Sequence, residues 1–120
     1  MIKIDAPIKP VPFKRVIPRY GRPKNPAKYT EFKDELGYFA LLAMGGREPL
    51  TGAIKITADF FKPAPKKITS RRWGDVDNFL KAVMDALNGI CYVDDSQVVE
   101  VRAGKFFGEP HIVIELEETE

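Results

Sequence analysis

Cysteine and histidine are nearly missing from this chain: Cys91 and His111 each stand alone among 120 residues. A lone cysteine leaves no disulfide framework and no cysteine zinc site. A lone histidine excludes the His-rich zinc motifs. Both residues read as structural. No apolar run approaches about 18 residues, so no membrane-spanning helix is expected. The first residues hold no apolar signal core and include Pro7, Pro10 and Pro12, so the expected location is cytoplasmic. There is no internal repeat and no low-complexity tract. Hydrophobic residues make up 44% and charged residues 30% of the chain, which argues against disorder. A length of 120 residues suits one domain over 1–120 that buries a core without covalent staples.

The net charge of +2 conceals an uneven distribution. Residues 1–33 carry Lys3, Lys9, Lys14, Arg15, Arg19, Arg22, Lys24, Lys28 and Lys33 against Asp5 and Glu31. A second basic stretch holds Lys62, Lys66, Lys67, Arg71 and Arg72 without an acid. The end of the chain is acidic, with Glu115, Glu117, Glu118 and Glu120. Two basic segments flanking an acidic centre suit a polyanion held around a metal site. Solvated loops would give the same charge pattern.

Weak alternation over Met1 to Ile8 predicts a first strand. A basic, proline-rich loop follows at about 10–26, where prolines block helix and central strand. Asn25 as N-cap and Pro26 as first helical residue open a helix to about Met44, stopped by Gly45 and Gly46. Tyr29, Phe32, Leu36, Phe39 and Ala43 share its apolar face. Thr51 to Phe61 reads as a strand, with Ile54, Ile56, Ala58 and Phe60 alternating against polar residues. A second helix is expected from about Asp75 to Leu87, ended by Asn88 and Gly89. Val98 to Phe107 and His111 to Leu116 read as two further strands. The expected fold is α+β (mixed α/β): a small sheet with two helices, in the order β-α-β-α-β-β.

The second helix divides cleanly. With Asp75 at zero, Val76, Phe79, Leu80, Val83, Met84 and Leu87 fall between about 40° and 180°. Asp77, Asn78, Lys81, Asp85 and Asn88 fall between about 200° and 300°. The polar stripe supports two readings. Asp75 or Asp77 could cap the helix, with Lys81 paired to Asp77 and Asp85 at i,i+4 spacing. Alternatively the acids belong to a site, and Lys81 is a fixed cation beside a phosphate. Asp94 and Asp95 follow shortly after the helix. A chain reversal there would bring Asp95 beside the helix N-terminus and gather several carboxylates. Such a cluster repels itself unless a cation neutralises it. Oxygen ligands without cysteine or histidine suit Mg²⁺ or Mn²⁺. At a phosphodiester such an ion activates water and stabilises the leaving oxygen.

At these residues the sequence resembles the RusA family of Holliday junction resolvases, found in bacteria and their phages. The resemblance rests on Asp75-Val-Asp-Asn-Phe-Leu-Lys81, on Asp85-Ala-Leu-Asn-Gly89, and on Val93-Asp-Asp-Ser-Gln-Val-Val99. Trp73 and Gly74 stand where the family usually has Arg or Pro, a departure that bears on local DNA contacts. The resemblance implies a homodimeric, Mg²⁺- or Mn²⁺-dependent endodeoxyribonuclease that nicks opposing strands of four-way DNA junctions. The bacterial or phage source it implies fits a cytoplasmic enzyme without organic cofactor. The family's catalytic and metal-binding aspartates fall on Asp75, Asp77 and Asp95, with Asp94 as a neighbouring acid, and its essential lysine falls on Lys81. Asp85 matches without an assigned role. Lys14, Arg15, Arg19, Arg22, Arg71 and Arg72 are candidates for phosphate contacts, which position DNA without reading bases. Phe13, Tyr20 and Trp73 read either as packing anchors or as rings that stack at the junction centre. Two alternatives stay open: a less selective flap or fork nuclease with the same site, and a junction-binding protein that cuts nothing.

Overall fold

A computed structural model describes residues 1–13, 26–64 and 75–119. The elements run β1 (Ile2–Ala6), α1 (Pro26–Met44), β2 (Ala53–Lys62), α2 (Val76–Leu87), β3 (Val98–Phe107) and β4 (His111–Thr119), with a 3-10 turn at Asp95–Gln97 before β3. β1 is shorter than the Met1–Ile8 alternation suggested, because Pro7 cannot continue the ladder. β4 runs past Leu116, since Lys55 faces Glu117 and Ile54 faces Glu118 across the β2 pairing. α1 ends on Gly45 and Gly46, both at positive φ, a backbone state that glycine adopts without strain.

The four strands lie in the order β1-β4-β2-β3. β4 is antiparallel to both β1 and β2, whereas β3 is parallel to β2. A parallel neighbour needs a crossover, and α2 supplies it. One face of the sheet carries Ile2, Ile4, Ile54, Ile56, Phe60, Ile112, Ile114 and Leu116, all buried. Phe32, Leu36, Ala40 and Met44 of α1 complete this core, with Phe79, Ala82, Val83, Ala86 and Leu87 of α2. The opposite face has no helix layer among the described residues. It presents Lys3, Asp5, Lys55, Asp59, Glu100, Arg102, Glu115 and Glu117.

The buried stripe of α2 is rotated from the one that hydrophobicity alone draws. Ala82 and Ala86 are buried, while Leu80 and Met84 are only partly so. Small residues mark where two backbones approach most closely. Gly37 does the same on α1: a Cβ there would lie 3.2 Å from Ile90 Cδ1. The rotation turns Asp85 and Asn78 to the margin of the core, where both are half-buried.

Candidate functional site

α2 and the turn before β3 hold the acids. Asp75 is the N-cap residue of α2, yet its side chain makes no capping hydrogen bond. Asp77 lies in the first turn, and both acids are exposed. The first turn of α2 packs toward the far end of β2, with Phe79 and Phe60 ring centroids 5.3 Å apart. The chain then returns beside the start of β2, where Tyr92 bridges Leu50. Asp95 thereby comes near enough to Asp85 for the Asp85 charge to act on its carboxyl. Asp85 is eight residues from Asp77, about 12 Å along the helix. Among the described residues, no three acidic, histidine or cysteine side chains gather at metal-binding distance.

Asp94 and Gln97 shape the turn. Asp94 accepts a hydrogen bond from the Ser96 N–H at 3.0 Å and forms a reciprocal capping box with Gln97. Hydrogen bonding from the Ser96 side chain, and then from its N–H, holds the exposed Asp94 carboxyl below its ordinary range. Gln97 uses both ends of its amide. Its Oε1 accepts from the Val93 and Asp94 N–H groups at 2.8 and 2.9 Å. Its Nε2 donates to the Leu50 and Gly52 carbonyls at 2.8 and 3.0 Å. Gln97 therefore ties the Asp94–Asp95 segment to the entry of β2. The sequence contained Gln97 within the quoted motif, but two of its partners, the Leu50 and Gly52 carbonyls, are more than forty residues away.

Asp95 has the least satisfied polar atom in this region. Its Oδ1 is buried without a hydrogen-bond partner. The Tyr92 hydroxyl donates to the Met84 carbonyl at 2.7 Å and also lies within reach of the Asp95 carboxyl. Burial, the Asp85 charge and the Asp94 charge hold the Asp95 carboxyl above its ordinary range, against the opposing effect of Tyr92. Asp85 is better placed, since the Tyr29 hydroxyl of α1 donates to its Oδ2 at 2.5 Å. Burial and then Asp85 push the Tyr29 phenol far up, so it stays a donor. Burial and then Asp95 act likewise on Tyr92. Sequence reasoning missed both tyrosines; only the contact between α1 and α2 brings Tyr29 to Asp85.

Lys81 forms no ion pair with Asp77 or Asp85 among the described residues. Its Nζ sits 4.2 Å from the centroid of the Phe13 ring, a cation–π contact. Phe13 is itself anchored, with its N–H donating to the Asn78 carbonyl at 2.9 Å. Its ring meets Tyr29 edge-on at 5.6 Å. Phe13 is thus a packing anchor that presents Lys81. Lys14, Arg15, Arg19, Arg22, Arg71 and Arg72 lie outside the described residues, as do Tyr20 and Trp73. Cys91 is buried, and its thiol is pushed up to about 11 by desolvation. His111 stacks on Phe61 at 4.1 Å, away from the acids.

The acids, the lysine and the glutamine all lie in the segments that carried the resemblance. A family model described as "Endodeoxyribonuclease RusA" matches residues 7–117. The chain is also 33% identical to "Uncharacterized protein YqaN" of Bacillus subtilis (strain 168), over 79% of this chain and 78% of the relative. No helix among the described residues is long and apolar enough to cross a membrane. With nearly its whole length matched, the chain belongs to the RusA endodeoxyribonuclease family.

Proposed function

We propose that this protein is a Mg²⁺- or Mn²⁺-dependent endodeoxyribonuclease that resolves four-way DNA junctions by paired nicks in opposing strands. The observation that carries this reading is Asp95. The Asp95 Oδ1 is buried without a hydrogen-bond partner, and the Asp85 charge acts on the same carboxyl, a combination that a cation would relieve. The donor set is oxygen alone, which suits Mg²⁺ or Mn²⁺. The resemblance assigns the ion to Asp75, Asp77 and Asp95; Asp95 lies nearer Asp85, about 12 Å along the helix from Asp77, so Asp85 and Asp95 are the acids already disposed to share a cation. When bound, the ion supplies an activated water and neutralises the reacting phosphate.

The chain's own residues do the rest. Lys81, presented on Phe13 rather than paired to an acid, is placed to meet a phosphate oxygen. Gln97 and Asp94 keep the Asp95 turn in one conformation. Tyr29 orients Asp85 through its hydroxyl. The helix-free face of the sheet carries more acids than bases among its described residues, so DNA is expected on the α2 side. Basic residues of 14–22 and 71–72 are assigned to phosphate contacts. A homodimer would supply the two sites that paired nicks across a two-fold junction require.

The test compares cleavage of four-way junctions, forks, flaps and linear duplex at equal concentration, with Mg²⁺ and with chelator. Junction-selective, metal-dependent nicking is expected. Equal rates on all four substrates would replace the junction reading with a general branched-DNA nuclease. No cleavage of any branched DNA would leave a binding protein. Asp77→Asn and Asp95→Asn are each expected to abolish cleavage while leaving junction binding intact or tighter. Calorimetric Mn²⁺ titration of the same variants should show the affinity lost.

A further inference from the structure

We propose that Lys9 and Lys62 together hold one backbone phosphate of the bound DNA, beside the start of α2. The fold brings the two lysines to one place from distant parts of the chain. β1 and β2 each run antiparallel to β4, so they run parallel to each other and finish at the same end of the sheet. Ala6 pairs with Ile112, and Ile112 pairs with Phe60, which sets the last residue of β1 level with Phe60. Lys9 follows shortly after that point. Lys62 closes β2, one alternation beyond Phe60 and on the same helix-covered face. Its Nζ lies 5.8 Å from the centroid of the Phe79 ring, in the first turn of α2. From Lys9 the chain continues to Phe13, whose N–H donates to the Asn78 carbonyl of that same turn. Both lysines therefore border the start of α2, where Asp75 and Asp77 stand exposed.

Two ammonium groups brought together repel, and an anion between them turns the repulsion into attraction. Burial, and then the Lys9 charge, holds the Lys62 ammonium below its ordinary range, so the two charges act on each other. The stretches that carry them are free of acids: none stands between Asp5 and Glu31, nor between Asp59 and Asp75. Lys62 is half-buried and Lys9 is exposed, so an anion reaches the pair from solvent. Lysine offers a compact point charge that takes a phosphate without reading a base. Asp75 and Asp77 repel an approaching DNA strand, and a fixed phosphate contact at the same end of the sheet offsets that repulsion. The pair is a positioning contact within the DNA-cleaving reading above, on which its assignment rests; the reacting phosphate stays with Lys81.

The experiment uses the full chain and a four-way junction with duplex arms, with chelator present so that no strand is cut. Binding is measured over a range of salt. Lys9→Gln and Lys62→Gln are each expected to weaken binding about three- to tenfold, whatever the junction sequence. Lys62→Arg keeps the charge and should stay within about twofold of wild type. The double glutamine variant should lower the slope of log affinity against log salt by about 0.9, the value for one duplex phosphate. Lost packing at Lys62 would weaken binding without that change of slope. Lys3→Gln, on the helix-free face, should leave the slope at its wild-type value. With Mg²⁺ present, the lysine variants should raise KM more than they lower kcat. An unchanged slope in the double variant overturns the phosphate contact, while junction binding by wild type keeps the DNA reading. A fall of about 1.8 puts the lysines on separate phosphates and overturns the shared contact. Wild-type protein that binds no junction overturns the DNA reading and the contact with it. The expected slopes without cleavage in Mg²⁺ overturn the nuclease reading alone.

Discussion

Gln97→Ala is the substitution whose effect the structure bounds most closely. The side chain makes four hydrogen bonds that join the Asp94–Asp95 turn to the segment entering β2. The two bonds to the Leu50 and Gly52 carbonyls are part-buried, and each is worth about 0.5–1.5 kcal/mol net. The two accepted from the Val93 and Asp94 N–H groups are exposed, so water replaces them at little cost. The expected loss is therefore about 1–3 kcal/mol. For a chain of this size that lowers Tm by roughly 4 °C for each kcal/mol. Urea melts measure the loss directly. Gln97→Glu should destabilise at least as much at neutral pH, because it sets a carboxylate oxygen against two carbonyl oxygens. Because Asp95 rides on the same turn, Gln97→Ala should also lower kcat for junction cleavage more than it weakens junction binding. A variant within about 0.5 kcal/mol of wild type, cutting at the wild-type rate, would refute the reasoning.

Tyr29→Phe removes the donor to Asp85 and is expected to cost about 1–2 kcal/mol in urea melts. In an Asp85→Asn background the cost should shrink, and an unchanged cost would show that the two side chains are not coupled. The raised carboxyl of Asp95 sets a pH dependence. Its contribution to stability is fully present below the ordinary carboxylate range and is lost as pH rises through its raised folded value. Metal-free Asp95→Asn should therefore be more stable than wild type at neutral pH, with the difference vanishing in strong acid; the opposite order in thermal melts would contradict the burial argument. Gly37→Val places a branched side chain against Ile90 and should destabilise by about 1–3 kcal/mol, whereas Gly37→Ala should stay within about 1 kcal/mol of wild type. Circular-dichroism melts of the two variants separate crowding from helix propensity.

Much of the fold was legible because it is written locally. Pro26, Gly45 and Gly46 bracket α1, since the fixed φ of proline and positive φ are properties of single residues; Asn25, the expected cap, lies outside the described residues. Alternation in β2 marks a strand because side chains switch faces at every residue. The site was legible only as a set of residue types. Periodicity weighs large apolar residues and passes over Ala82 and Ala86, so it could not show how α2 is rotated or that Asp85 is half-buried. The i,i+4 spacing offered Lys81 to Asp77 and Asp85, but a ring from 68 residues earlier takes it.

The sequence alone therefore determined the elements, the oxygen-only acids and the paired motifs of the RusA family. Tertiary structure decided which acids meet. Parallel pairing of β3 with β2 makes α2 a crossover and carries Asp95 to Asp85, beside Tyr92 and under the reach of Tyr29. It also left β3 outermost in the sheet among the described residues. These outcomes depend on strand order and helix rotation, which arise from contacts between residues far apart in the chain. No spacing within a single segment encodes them.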